Sequence, residues 1–346
     1  MQYGLAQFHL IQEKYGFIPN ATFISTPDET VTRNTYRWNS GIGYGGKISW
    51  GNGNEKIIFL NVKPNLCGIF VGGLNEIIEP EEIIDRIETV KRTDLTAKKI
   101  PLNWDYQASN HFINLFKTQS FTDIKLPKYI FFIHGSSPEL QDDKYGLGLY
   151  IDKSKTLRER AIKEETKFGV QYILLDNDAK EYLDFQYKAL KFSKAKREII
   201  ANNLFGKDYV KISNHPHQFL RDYNNMYLGC NCTKYRNNIK NDNELYPTTL
   251  RADYPAYLFQ GKRNFSEIVI EKLDFRERAE KLEIMSRLKN ANVLPHGGGY
   301  NFPDIEDLER IVETKKGRFF ICSLKIKNKI LFYFCTRGNI FIGCEN

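Results

Sequence analysis

The longest periodic stretch of the chain, Asp178–Asn203, sets what the rest can be. Tyr182, Phe185, Ala189, Phe192, Ile199 and Ile200 recur there at helical spacing. One stripe of a long helix must therefore be buried against another layer. The runs available to build that layer are short: Lys56–Val62, Gly68–Gly72, His111–Phe116, Tyr129–Ile133 and Tyr209–Ser213. Rich in Ile, Phe and Val and bounded largely by Gly, Asn or Pro, they read as strands. Pro80–Lys91 reads as a second helix, with Ile83, Ile84, Ile87 and Val90 on one face, Pro at its start and acidic residues in its first turn. Arg276–Leu288 reads as a third, Asn224–Asp242 as an Asn-rich loop, and Arg318–Gly343 as a terminal series of strands turning at Asn328 and Gly338. No internal repeat and no low-complexity linker divides the chain, so the expectation is one α+β domain over residues 1–346, with mixed sheets and flanking helices.

Composition narrows the class. Hydrophobic residues make up 41% and charged residues 27% of the 346, enough apolar surface to offset the entropy of ordering a globular chain. There is no apolar run of about 18 residues, and the first residues lack a basic segment followed by an apolar one, so a cytoplasmic protein with no membrane partner is expected. The formal charge of +8 favours polyanionic partners. Cys67, Cys230, Cys232, Cys322, Cys335 and Cys344 follow no disulfide framework, which leaves free thiols or metal ligands.

Six histidines are present, and five stand beside Gly, Asn or Pro near strand ends or in loops: His111 in SNHF, His134 in IHGSS, His215 and His217 in NHPHQ, and His296 in LPHGGGY. Imidazoles so placed can converge on a cleft and act as ligands, bases or nucleophiles. Cys67, in PNLCG between two buried segments, could bridge two divalent ions whose other ligands come from His111, His134 and either His215 or His217. A thiolate and imidazoles suit zinc, so zinc is one candidate ion. His296, followed by three glycines, can approach a phosphate closely through its loop.

The order of these motifs resembles that of the RtcB-type RNA ligases. GIGYGGKIS at Gly41–Ser49 is similar to the family's glycine-rich segment, PNLCG to its metal-binding cysteine turn, and SNHFINLF at Ser109–Phe116 to its Asn-His-Phe strand. HGSSPELQDDKYGLG from His134 resembles a His-Ser-Gly-Ser-Arg-Gly-Leu-Gly segment with an insertion. AKREIIANN resembles an Ala/Asn/Arg-rich helix, ISNHPHQ a His-Asn turn, and LPHGGGY the His-Gly-Ala-Gly-Arg loop whose histidine becomes guanylylated. The resemblance runs from about Gly41 to Tyr300.

It implies an RtcB-like fold and ligation of RNA 3′-phosphate or 2′,3′-cyclic phosphate ends, such as tRNA halves or broken RNA, to 5′-hydroxyl ends. GTP and two manganese ions would be required. By this resemblance Cys67 bridges the ions, His111 binds one, His134 and His215 the other, with His217 the alternative, and His296 is the nucleophile. Asn110 would contact a phosphate, and Gly297, Gly298 and Arg251 would lie at the nucleotide, with Lys262 and Arg263 as further basic candidates. Asn114 stands where the family carries a glutamate that holds guanine. Pro64 stands where it has an aspartate, which implies one weaker metal site. Two rival expectations are a metal-dependent phosphoesterase without a guanine pocket and an inactive homologue binding RNA through Lys234, Tyr235 and Arg236.

Overall fold

The computed structural model describes residues 1–30, 34–106, 111–233, 243–249, 255–261 and 265–297, and the backbone of four further strands between 305 and 344. Helices and antiparallel sheets are mixed, an α+β architecture as expected. Among the described residues no helix is long and apolar enough to cross a membrane.

The sheet that positions the site has four antiparallel strands in the order Val210–Pro216, Gly68–Leu74, Tyr129–Gly135 and Phe112–Lys117. Its register puts His215 opposite Ile69, Ile69 opposite His134, and His134 opposite Phe112. Cys67 immediately precedes one strand, His111 another, and His217 follows a third, so all of them gather at one end of this sheet. On one face Phe70, Phe131 and Ile133 pack with Ile200, Ala201, Leu204 and Phe205, and with Val90, Ile83 and Ile87 of the Pro80–Arg92 helix. Phe131 stacks on Phe205 with ring centroids 3.8 Å apart. On the other face Ile69, Val71, Ile130 and Phe132 pack with Phe112, Phe116 and Leu258.

A second four-stranded sheet, ordered Thr22–Thr30, Tyr44–Ser49, Asn225–Leu228 and Gln218–Leu220, follows directly from His217. A three-stranded sheet of Ile57–Phe59, Gly169–Leu175 and Ile162–Thr166 lies against the helix Gln2–Lys14, where Phe8 stacks on Phe59 at 3.7 Å under Trp50. The strands at 305–314, 317–324, 330–336 and 339–344 form an antiparallel meander. The turn residues Asn328 and Gly338 lie outside the described residues.

The long helix runs from Asp176 to Phe205. Its buried stripe runs through Ala179, Tyr182, Leu183, Gln186, Ala189 and Phe192, apolar but for Gln186, then becomes charged at Lys196 and Arg197, where it passes beneath the site. Arg197 is fully buried and ties three segments together. It donates to Leu66 O at 3.4 Å, Gly135 O at 3.2 Å, Ser193 Oγ at 2.7 Å and Asn214 Oδ1 at 2.9 Å. Burial lowers its pKa to about 10, still charged at neutral pH. Gly68 makes room for it, because a Cβ there would sit 2.9 Å from the guanidinium and 2.6 Å from His215 O.

Several boundaries differ from the sequence reading for local reasons. The Lys56–Val62 run is a strand only over Ile57–Phe59 and then a 3₁₀ turn. Asn61 drives the change: its side chain donates to Ser40 Oγ and Val170 O and accepts from Tyr172 N–H, contacts a straight strand would not give. His134 lies inside its strand rather than past its end, and His215 is likewise in a strand. Arg276–Leu288 is two short helices, Arg276–Lys281 and Met285–Lys289, interrupted by Glu283 at φ 54°. Asn224–Asp242 contains strands Asn225–Leu228 and Cys230–Cys232, and its residues 234–242 lie outside the described set.

Removing the guanidinium at Arg197 strands buried acceptors in three segments. Arg197→Met is expected to lower unfolding free energy by about 3–5 kcal/mol, measured by urea denaturation of the metal-free protein. A loss below about 1 kcal/mol would show that Arg197 is a passenger.

Candidate metal centre

The turn before Cys67 is built from side-chain and backbone bonds. Asn65 Oδ1 accepts the Cys67 N–H at 2.8 Å, and Leu66 adopts φ 60°, a strained left-handed conformation for a residue with a Cβ. It is held there by its N–H to Gln218 O at 3.0 Å and by Ser193 Oγ, which donates to Leu66 O at 2.8 Å. Cys67 O then accepts the N–H of His217 at 2.9 Å, so the two residues are fixed to each other through the backbone.

The side chains converge on one spot. Cys67 Sγ lies 2.7 Å from His134 Nε2 and 3.5 Å from His111 Nε2. His217 Nε2 is 3.2 Å from His134 Nε2. Cys67, His134 and His217 are at most 3% exposed. An imidazole nitrogen carries either one proton or one lone pair. His134 Nε2, with one proton or one lone pair, cannot make full hydrogen bonds to Cys67 Sγ and His217 Nε2 at once, whereas a cation accepts a lone pair from each donor.

Cys67, His111 and His134 form a buried group able to hold a metal ion, their ligand atoms all within 4.8 Å of one another. Bonds of about 2.3 Å to sulfur and 2.0–2.1 Å to nitrogen at tetrahedral angles separate S and N by roughly 3.6 Å. The Cys67–His111 pair already has that spacing, and Cys67 and His134 have to part by roughly 1 Å. The donor set is one sulfur and nitrogens, which suits zinc-like ions better than magnesium or calcium.

A buried carboxylate sets His111. Asp105 Oδ2 lies 3.1 Å from His111 Nδ1 and accepts from Ser136 N–H at 3.1 Å and Ser136 Oγ at 3.2 Å. With Nδ1 engaged, Nε2 is the atom turned to Cys67, the arrangement in which a carboxylate orients a metal-binding histidine. Burial favours a neutral Asp105, but the hydrogen bond from His111 and the ammonium of Lys196 outweigh it and hold its pKa well below the usual carboxylate range. Burial likewise opposes a charge on His111, yet the Cys67 and Asp105 charges beside it raise its pKa to about 10. His217 goes the other way: burial, with His296 and His134 beside it, pushes its pKa well below the ordinary value and leaves a neutral ring.

His296 belongs to the same cluster. Its ring centroid is 4.5 Å from that of His217 and 5.4 Å from Tyr44. Asp28 Oδ2 accepts from His296 Nδ1 at 3.0 Å, from His296 N–H at 3.2 Å and from Gly297 N–H at 3.0 Å. Burial tends to raise the Asp28 pKa, but these bonds lower it overall. An ionised carboxylate only accepts, so Nδ1 carries a proton, and in a neutral ring the lone pair would sit on Nε2. That Nε2 is buried and has no hydrogen-bond partner among the described residues. Gly297 is at φ 80°, and a Cβ would collide with the Thr249 backbone, so glycine is required. Its amide donates to Asp28.

The other sequence candidates separate. His215 stacks on Tyr246 at 4.4 Å with Nε2 3.3 Å from Glu244 Oε2. It is two strands from His134, about 10 Å at ordinary strand spacing, so His217 and not His215 joins the cluster. Asn114 lies opposite Phe132, two residues along from Phe112 and on the same face as His134. Asn110, Gly298, Arg251, Lys262, Arg263, Lys234, Tyr235 and Arg236 lie outside the described residues. Sequence reasoning missed Asp28 and Asp105. Each stands in a polar or aromatic stretch, STPDET and NWDYQ, that gives no sign of its partner.

Comparison of the chain with protein-family models, curated proteins and solved structures returns no match.

Metal binding must expel the proton that His111 holds. Because that pKa is raised to about 10, the proton competes with metal at every pH below it. Zinc affinity of the metal-free protein is expected to rise by up to about tenfold per pH unit from pH 6 toward 10, measured by competition with a chromophoric chelator. Affinity independent of pH would contradict the assignment of His111 as a ligand.

Proposed function

We propose that this chain is an RNA ligase of the RtcB type, joining RNA 3′-phosphate or 2′,3′-cyclic phosphate ends to 5′-hydroxyl ends with GTP, through nucleotidylation of His296. The observation that carries the reading is the state of His296. Asp28 holds Nδ1, while Nε2 is buried, has no hydrogen-bond partner among the described residues, and its ring lies next to His217 at the edge of the metal-binding cluster. An imidazole nitrogen with a free lone pair, fixed in orientation by a carboxylate, is arranged as a nucleophile.

Cys67, His111 and His134 would hold a divalent ion, with His217 beside them. When bound, the ion supplies positive charge against the phosphate oxygens of the substrate. Manganese is the ion the resemblance implies, whereas the sulfur and nitrogen donors suit zinc better. Of the two ions it implies, the second is the weaker, because Pro64 supplies no carboxylate.

The chain's own groups account for the nucleotidyl step. His296 Nε2 attacks the α-phosphorus of GTP, forming the N–P bond as the bond to pyrophosphate breaks. The ring becomes cationic with its proton still on Nδ1, and the Asp28 carboxylate, already 3.0 Å away, stabilises that charge. Transfer of GMP to an RNA 3′-phosphate regenerates His296, and the 5′-hydroxyl of the second end displaces GMP. A 2′,3′-cyclic phosphate is hydrolysed first. Asn114, on the face of His134, is the candidate contact to the base, with Asn110, Gly298 and Arg251 as further candidates from the sequence. The charge of +8 suits an RNA partner.

Incubation with GTP labelled at the α-phosphate and manganese tests the reading. The wild type is expected to take up acid-labile label, His296→Ala none, and Asp28→Asn to slow labelling by roughly 10²–10⁴-fold while retaining its metal. Equal labelling of His296→Ala would remove the nucleophile assignment. Release of phosphate from RNA ends without labelled protein would make the chain a metal-dependent phosphoesterase instead.

A further inference from the structure

Beneath the cluster lies a charged residue that is not one of the candidate ligands. Lys196 is 0% exposed, and its Nζ is 2.9 Å from Glu139 Oε1 and 3.1 Å from Asp105 Oδ1. Glu139 Oε1 also accepts the N–H of Asn103 at 2.7 Å, two residues before Asp105. Asp105 is therefore held twice, by Lys196 on one carboxylate oxygen and by the anchored backbone leading into it. Its other oxygen is left to Ser136 and His111 Nδ1. For stability alone a buried charged trio offers little over apolar residues of the same volume, since desolvation opposes the gain from pairing.

We infer that Lys196, together with Glu139, is a positioning residue of the metal centre: it fixes Asp105 so that His111 keeps Nε2 turned to Cys67. The chain Glu139–Lys196–Asp105–His111 sets the direction of one ligand's lone pair. Outer partners of metal-binding histidines typically alter affinity by 10–100-fold when removed.

The inference rests on the metal-centre reading, and cobalt(II) titrated into the metal-free full chain separates the two. Cobalt reports its ligands through visible bands and a thiolate charge-transfer band. If the wild type binds cobalt without that band, the metal-centre reading itself fails, whatever Lys196 does. Lys196→Met alone leaves two buried carboxylates uncompensated and loses stability for that reason, so Lys196→Met/Glu139→Gln, which restores the charge balance, is the informative variant. It is expected to unfold at a urea concentration close to wild type yet bind cobalt about 10–100-fold more weakly, with shifted visible bands. Wild-type affinity and spectrum in that folded variant would overturn the inference. Glu139→Gln alone preserves shape and the Asn103 contact and decides the matter if the double variant does not fold. Weakening by about threefold or more supports the positioning role, and unchanged affinity and spectrum overturn it.

Discussion

The arrangement depends on one buried guanidinium. Arg197 bonds to the carbonyl just before Cys67, to the carbonyl just after His134, and to Asn214 at the head of the His215–His217 turn. Those segments are far apart in sequence and are brought together by a helix that supplies the cation. Taking Arg197 out of water is costly, and that cost is offset only when all of these acceptors are in place. The same requirement makes the geometry discrete: a chain that misplaces one strand end leaves a charge and a carbonyl unsatisfied. Gly68 is the counterpart of this constraint, since any side chain there would occupy the space of the guanidinium.

Around that anchor the interior changes character. Most of the core is apolar, yet beneath the strand ends lie Asp105, Lys196 and Glu139, and on the other side of the cluster Asp28 faces His296. In a region of low dielectric these charges act strongly on their neighbours. They divide the histidines into roles. His111, beside Cys67 and Asp105, is pushed toward the cationic form, whereas His217, among other imidazoles, is kept neutral. Such opposed environments within a few ångströms are more often found at functional sites than in structural cores.

Much of this was legible in the sequence. The long helix, the Pro80–Arg92 helix and the core strands announce themselves through periodicity, and the histidines through their placement beside small residues at strand ends. What periodicity does not carry is the contact made by one side chain across the fold. Asn61 turns a strand into a 3₁₀ segment because of Ser40, Val170 and Tyr172. The choice between His215 and His217 is decided by where the strand ends: Pro216 is the last paired residue, and His217 swings to Cys67 through its own N–H. Asp28 was invisible because its partner lies 268 residues away, and Lys196 read as one more lysine on a helix until its stripe was seen to be buried.

A metal ion held by Cys67, His111 and His134 at the end of the four-stranded sheet would have a single sulfur ligand. X-ray absorption at the zinc edge of zinc-loaded protein addresses it directly. One sulfur at about 2.3 Å and two or three nitrogens at about 2.0–2.1 Å are expected, with the outer-shell scattering of imidazole rings. A first shell of light atoms alone, unchanged when Cys67 is replaced by serine, would contradict it.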